Sequence, residues 1–80
     1  MIDPRILDII RKVTKNPDIS RDSVADPFMV LGWDSLKSVE ILIEIQEVFG
    51  VEIEPGELLL LKNLGDLQKL IDEKRGYEFF

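Results

Sequence analysis

Apolar residues recur at helical spacing in three stretches of this chain, and the longest occupies residues 36–49. At about 100° per residue, Leu36, Val39, Leu42, Ile43 and Phe49 fall on one broad arc, which Ile41, Ile45 and Val48 extend. Lys37, Glu40, Glu44 and Glu47 crowd into what remains, an arc of roughly 80°. So narrow a polar stripe predicts a helix surrounded on most sides, or one that keeps part of its apolar surface for a partner. Gly50 follows, where a helix commonly stops on a left-handed residue.

The first stretch begins at Ile2-Asp3-Pro4. Asp3 can cap a helix, Pro4 suits its first position, and Ile2 can staple against Leu7. Ile6, Leu7, Ile9, Ile10 and Val13 supply an inner face, and Asn16-Pro17 ends the run. Arg11, Lys12 and Lys15 cluster near its C-terminal end. Favourable placement against the helix dipole explains them more simply than a docking patch does. The third stretch starts at Asn63 with Asp66 three residues on, a pair resembling a capping box. Leu64, Leu67, Leu70 and Ile71 face inward, Lys74 and Arg75 sit near the end, and Gly76 closes it.

Between these stretches the pattern lapses. Residues 16–33 show no sustained periodicity, and so long a connection in a small domain is functional or disordered. Ile19, Val24, Phe28, Val30 and Leu31 can pin it to the core, which predicts an ordered loop with a short helical turn near residues 22–25. It would join two roughly parallel helices by running back along the bundle. Val51-Glu52-Ile53-Glu54 alternates like an extended segment, Pro55-Gly56 breaks it, and residues 57–61 form a short helix or turn. Leu58 to Leu61 cannot all face inward on one element, so either some line a groove or an irregular helix buries most. Tyr77-Glu78-Phe79-Phe80 is either a clamp on the core or a mobile tail. The predicted fold is all-α: a small three-to-four-helix bundle in a single domain, 1–80, with a long loop between the first and second helices.

Composition narrows the chemistry. Eighty residues with 45% hydrophobic content suffice for one core. The chain has no Cys and no His, which removes thiol chemistry, disulfides and the commonest general base and metal ligand. No nucleophile–His pair, metal-ligand cluster or Gly-rich phosphate loop is present, so the residues predict no enzyme. A formal charge of −6 argues against nucleic acid and anionic membranes and favours partners with basic patches. With no membrane-length apolar run and no signal-peptide pattern, the expectation is a soluble cytoplasmic monomer.

One residue stands out against this background. Asp34 and Ser35 precede the central helix, and either is an ordinary N-cap. If Asp34 caps, the Ser35 hydroxyl is left free in the first turn, where amides and dipole favour a phosphate.

The run Leu31-Gly32-Trp33-Asp34-Ser35-Leu36, then Val39-Glu40, then Phe49-Gly50-Val51-Glu52-Ile53, closely resembles the acyl carrier protein family. There a Leu-Gly-x-Asp-Ser-Leu pattern opens the second helix and Phe-Gly-x-x-Ile closes it. The likeness covers essentially the whole chain. It implies that Ser35 carries a 4′-phosphopantetheine arm, installed from coenzyme A by a phosphopantetheinyl transferase, with Mg²⁺ held in the transferase complex. The arm's thiol would hold acyl groups as thioesters. Asp34 would cap the helix and help orient the transferase. Trp33, Leu36, Lys37, Glu40, Glu44 and Glu47 would meet acyl-loading and acyl-processing enzymes that bear basic patches. The glutamates have a plainer reading as a solvated face. Ile41, Ile45, Leu59 and Leu61 are candidates for an acyl groove, although core packing suits each singly. Lys37, Gln46 and Val48 dilute the usual acidity, and Trp33 is a large neighbour for the serine. These departures point from housekeeping fatty acid synthesis towards a specialised, free-standing carrier for a polyketide, a modified acyl chain or an aminoacyl group. A rival of another class is an acidic helical interaction module that carries no arm.

Overall fold

The computed structural model describes residues 2–76. Among them are five α-helices: α1 (Pro4–Thr14), α2 (Phe28–Leu31), α3 (Ser35–Phe49), α4 (Pro55–Leu59) and α5 (Leu64–Arg75). The aromatic segment 77–80, whose role the sequence left open, lies outside the described residues.

The punctuation of the three long helices follows the sequence. Asp3 accepts from the Arg5 amide at the start of α1, with Pro4 in the first turn and both Ile2 and Leu7 buried. The helix ends before the Asn-Pro stop, because Lys15 turns left-handed (φ 57°) and the Asn16 amide reaches back to the Arg11 carbonyl. Asn63 Oδ1 accepts from the Asp66 amide at the start of α5, and Asp66 Oδ2 accepts from the Lys62 amide. That is one residue short of a strict capping box. Gly50 and Gly76 both close their helices at positive φ.

Helices α1 and α3 run antiparallel, not parallel as the loop length suggested. Lys12 pairs with Glu44, the Arg5 guanidinium lies 4.4 Å from the Phe49 ring centroid, and Thr14 sits beside Gly32. Partners therefore rise along one helix as they fall along the other. The loop begins and ends at the same end of the bundle, where the Asn16 side-chain amide donates to the Leu31 carbonyl. Its excess length forms a folded-back excursion. A 3₁₀ turn at Arg21–Ser23, overlapping the expected 22–25, is closed by reciprocal bonds between Ser20 and Ser23. The Val24 carbonyl then accepts from the Gly65 amide, pinning the loop to α5.

The core also departs from the helical-wheel reading. Ile41, Ile45 and Phe49, within about 80° of one another, are the buried residues of α3. They pack with Ile6, Ile10, Leu64, Leu67 and Ile71. Leu36, Val39 and Ile43, placed on the main apolar arc, face outward, as does Val30 in α2, expected to pin the connection to the core. Three helices cannot enclose a helix that is apolar on most of its circumference, so the spare face stays in water. Of the four leucines, Leu58 is buried, Leu61 packs partly on the core, and Leu59 and Leu60 are exposed. Val51 and Ile53 are buried while Glu52 and Glu54 are exposed, as the alternation predicted. No helix among the described residues is long and apolar enough to cross a membrane.

Candidate functional site

The site is assembled by two helix ends meeting. Helix α2 escaped the sequence reading because four residues are too few to show a period. Its signal was Pro27 before it and Gly32 after it, the usual asymmetry of helix boundaries. Gly32 adopts φ 88°, its amide donates to the Met29 carbonyl, and the Trp33 amide donates to the Phe28 carbonyl. This pair of bonds is a Schellman motif. It ends α2 and turns the chain at once into α3.

Asp34 is the cap of the new helix: its Oδ1 accepts from the Lys37 amide at 2.9 Å. Ser35 takes the first helical position, is exposed, and its hydroxyl engages no partner among the described residues. Ser38, one turn later, is fully engaged. Its hydroxyl accepts from the Trp33 indole N–H at 2.6 Å and donates to the Asp34 carbonyl at 3.2 Å. Two serines thus share a helix face, and one is free.

Beside Ser35 lies a groove of about 320 Å³ lined by Ser38, Val39, Leu42, Pro55, Gly56, Leu58 and Leu59. Its walls are α3 and α4, and apart from the two hydroxyls they are apolar. Of the four sequence candidates for such a groove, Leu59 lines it. Ile41 and Ile45 are fully buried and belong to the core, and Leu61 packs against that core. Val39 and Leu42 were missed because the inner face of α3 was misjudged, and Leu58, on α4, was one of four leucines whose directions the sequence left open. Helix α4 is tethered to α5 by a Lys74–Glu57 ion pair at 2.9 Å.

Trp33 needs a correction. It was placed on the partner-facing surface, but it is only 7% exposed and stacks on Phe28 with ring centroids 3.9 Å apart. It supports the site from beneath.

Comparison with known proteins agrees with this geometry. The family model described as the phosphopantetheine attachment site matches residues 4–71. An acyl carrier protein homolog of Mycoplasmopsis pulmonis is 36% identical over 69 residues, covering 86% of this chain and 89% of the relative. The chain belongs to the acyl carrier protein family. A chloroplastic acyl carrier protein of Cuphea lanceolata is 32% identical over 76 residues, covering 91% of this chain and 54% of that one. The chain therefore spans about half the length of the curated plant relatives it matches. The solution structure of holo acyl carrier protein from Geobacter metallireducens superposes with a TM-score of 0.70 at 28% identity, covering 96% of this chain and 92% of that one. The family is one of carriers, not catalysts, and its prosthetic group is a covalently attached 4′-phosphopantetheine.

The remaining expected surface residues of this family member are unequal. Leu36 is 81% exposed, and Glu40 and Glu47 are open to solvent. Glu44 is half-buried and already paired with Lys12. Lys37 is half-buried at the end of the acidic stripe nearest Ser35.

Proposed function

We propose that Ser35 is the attachment point of the 4′-phosphopantetheine arm, and that the chain carries acyl groups between partner enzymes. The observation that carries this reading is the difference between the two serines. Ser35 is exposed at the first position of a fifteen-residue helix with its hydroxyl unengaged, while Ser38 is tied to Trp33 and Asp34. The arm fits where Ser35 stands. A phosphodiester there meets the positive end of the helix dipole and unpaired first-turn amides, and the adjoining groove offers apolar walls. When attached, the arm supplies the thiol that this cysteine-free chain lacks, and holds the acyl group as a thioester.

The chain's own residues then have distinct tasks. Asp34 holds the first turn closed, so that Ser35 is presented at a constant place. Val39, Leu42, Leu58 and Leu59 offer shelter to an apolar acyl chain, which favours acyl over aminoacyl cargo. Leu36 is an exposed contact for the phosphopantetheinyl transferase and acyl-processing enzymes, with Glu40 and Glu47 as electrostatic guides towards basic patches. The Lys12–Glu44 pair removes one charge from that stripe, so charge steering rests on fewer groups than the sequence advertises. A cytoplasmic monomer acting in fatty acid, polyketide or related specialised biosynthesis fits the small acidic body and weak surface contacts.

Intact mass after incubation with coenzyme A and a promiscuous phosphopantetheinyl transferase tests the assignment. One arm is expected on the wild type and none on Ser35→Ala. Modification of Ser35→Ala would move the site elsewhere. An unmodified, folded wild type would favour an arm-free interaction module.

A further inference from the structure

We propose that the Trp33–Ser38 hydrogen bond is a positioning device for Ser35, making Trp33 and Ser38 positioning residues for arm attachment. The inference rests on the carrier reading above and adds to it a residue pair within this chain.

A buried indole N–H without a partner costs about 1–3 kcal/mol, and the bond that satisfies it here is short, 2.6 Å. Its acceptor is not a backbone carbonyl of the core but the Ser38 hydroxyl, one turn into α3. That hydroxyl in turn donates to the Asp34 carbonyl at 3.2 Å, so the indole, Ser38 and the capping residue form one chain of bonds around Ser35. The indole is itself immobilised. It stacks on Phe28, and the Trp33 backbone amide donates to the Phe28 carbonyl within the Schellman motif that ends α2.

A helix N-terminus is ordinarily free to fray, because its first amides lack carbonyl partners. Ser35 lies in that labile turn, and the next residue, Leu36, is 81% exposed and contributes little anchoring. Asp34 restrains the turn from outside through one amide. Trp33 restrains it from inside, across the face that carries both serines. The bond also occupies Ser38 at the mouth of the groove, leaving Ser35 as the unengaged hydroxyl of the pair. A misplacement of about 1 Å in the reacting geometry can cost on the order of a hundredfold in a transfer step.

The test compares wild type, Trp33→Phe, Ser38→Ala, Ser38→Thr and the double variant Trp33→Phe/Ser38→Ala. Trp33→Phe keeps an aromatic ring over Phe28 and removes the donor along with part of the ring's bulk, while Ser38→Ala removes the acceptor and leaves the indole in place. Arm attachment is followed with coenzyme A and transferase, and amide hydrogen exchange of residues 36–38 is followed on the unmodified proteins. Trp33→Phe and Ser38→Ala should each lower kcat/KM for attachment roughly fivefold, the scale of one neutral hydrogen bond, mainly through kcat because the outer contact surface is unchanged. The double variant should be no worse than the poorer single one. Ser38→Thr should recover most of the loss, and exchange in the first turn should quicken only where the bond is absent. Unchanged kcat/KM and exchange in folded Trp33→Phe would overturn the proposal while leaving the carrier reading intact. Additive losses would likewise overturn it. A wild type that accepts no arm would overturn the carrier reading, and this proposal with it.

Discussion

Helices α3 and α5 begin and end with the same devices, yet their N-termini do opposite things. Each is capped by an Asx side chain whose Oδ1 accepts from the amide three residues on, at 2.9 Å in both. Each closes on a left-handed glycine. At the head of α5, however, Leu64 is fully buried and Gly65 lies against Val24. At the head of α3, Ser35 is open to solvent and Leu36 points away from the bundle. Capping chemistry sets where a helix starts. What surrounds the first turn decides whether that start seals the core or displays a group.

The largest expected effect lies on the displayed side. Ser35→Ala should abolish arm attachment, read by intact mass, while leaving the melting temperature essentially unchanged, because its side chain packs against nothing. Leu64→Ala should do the reverse: a loss of about 2–5 kcal/mol of stability, typical of a truncated core leucine, measured by denaturant unfolding. Leu36→Ala, one position into the displayed turn, should stay within about 0.5 kcal/mol of wild type and weaken partner binding instead. A Leu36→Ala variant as unstable as Leu64→Ala would erase the distinction between the two ends.

The caps sharpen the comparison further. Asp34→Ala and Asn63→Ala should each lose about 1 kcal/mol, since each leaves one N3 amide without its acceptor. Only Asp34→Ala should also slow arm attachment, because only that turn presents Ser35. Equal effects on attachment would mean that global stability, not local placement, controls the reaction.

How much of this was legible in the sequence follows from which signals are local. Caps, stops and the alternation of 51–54 depend on near neighbours, and Asp3, Asp34, Asn63, Gly50 and Gly76 stand where the sequence put them. The all-α class followed from the same local signals, and the family from the resemblance carried by residues 31–36, 39–40 and 49–53. The inner face of α3 did not, because a helix apolar on most sides carries no record of which side its neighbours occupy. That one ambiguity hid the groove residues Val39 and Leu42, and left Ile41 and Ile45 open to both a groove and a core reading, of which the core reading holds. Trp33 misled for a related reason: its position beside Ser35 in the chain says nothing of its side chain's direction. The antiparallel course of α1 and α3 was invisible in the loop's length, since a long loop can fold back as readily as it can span.

The head of α1 is a third Asx cap and gives the smallest effect. Asp3 accepts from the Arg5 amide at 2.9 Å and from the Arg5 guanidinium at 3.1 and 2.8 Å. The guanidinium hydrogen bond, chiefly, holds its carboxyl below the usual carboxylate range, against the opposing pull of burial. A carboxyl whose folded-state pKa is depressed binds its proton less readily in the native state than in the unfolded one. Its contribution is therefore present above the unfolded carboxyl pKa, and is lost as pH falls through the folded one. Asp3→Asn keeps a cap acceptor and removes the titration. Its stability should be slightly lower near neutral pH and fall less steeply in the acid range, by fractions of a kcal/mol, as expected of a largely solvent-exposed pair. Parallel acid limbs for wild type and Asp3→Asn, measured by urea unfolding at several pH values, would show that this cap works through its geometry alone, as the amide of Asn63 does.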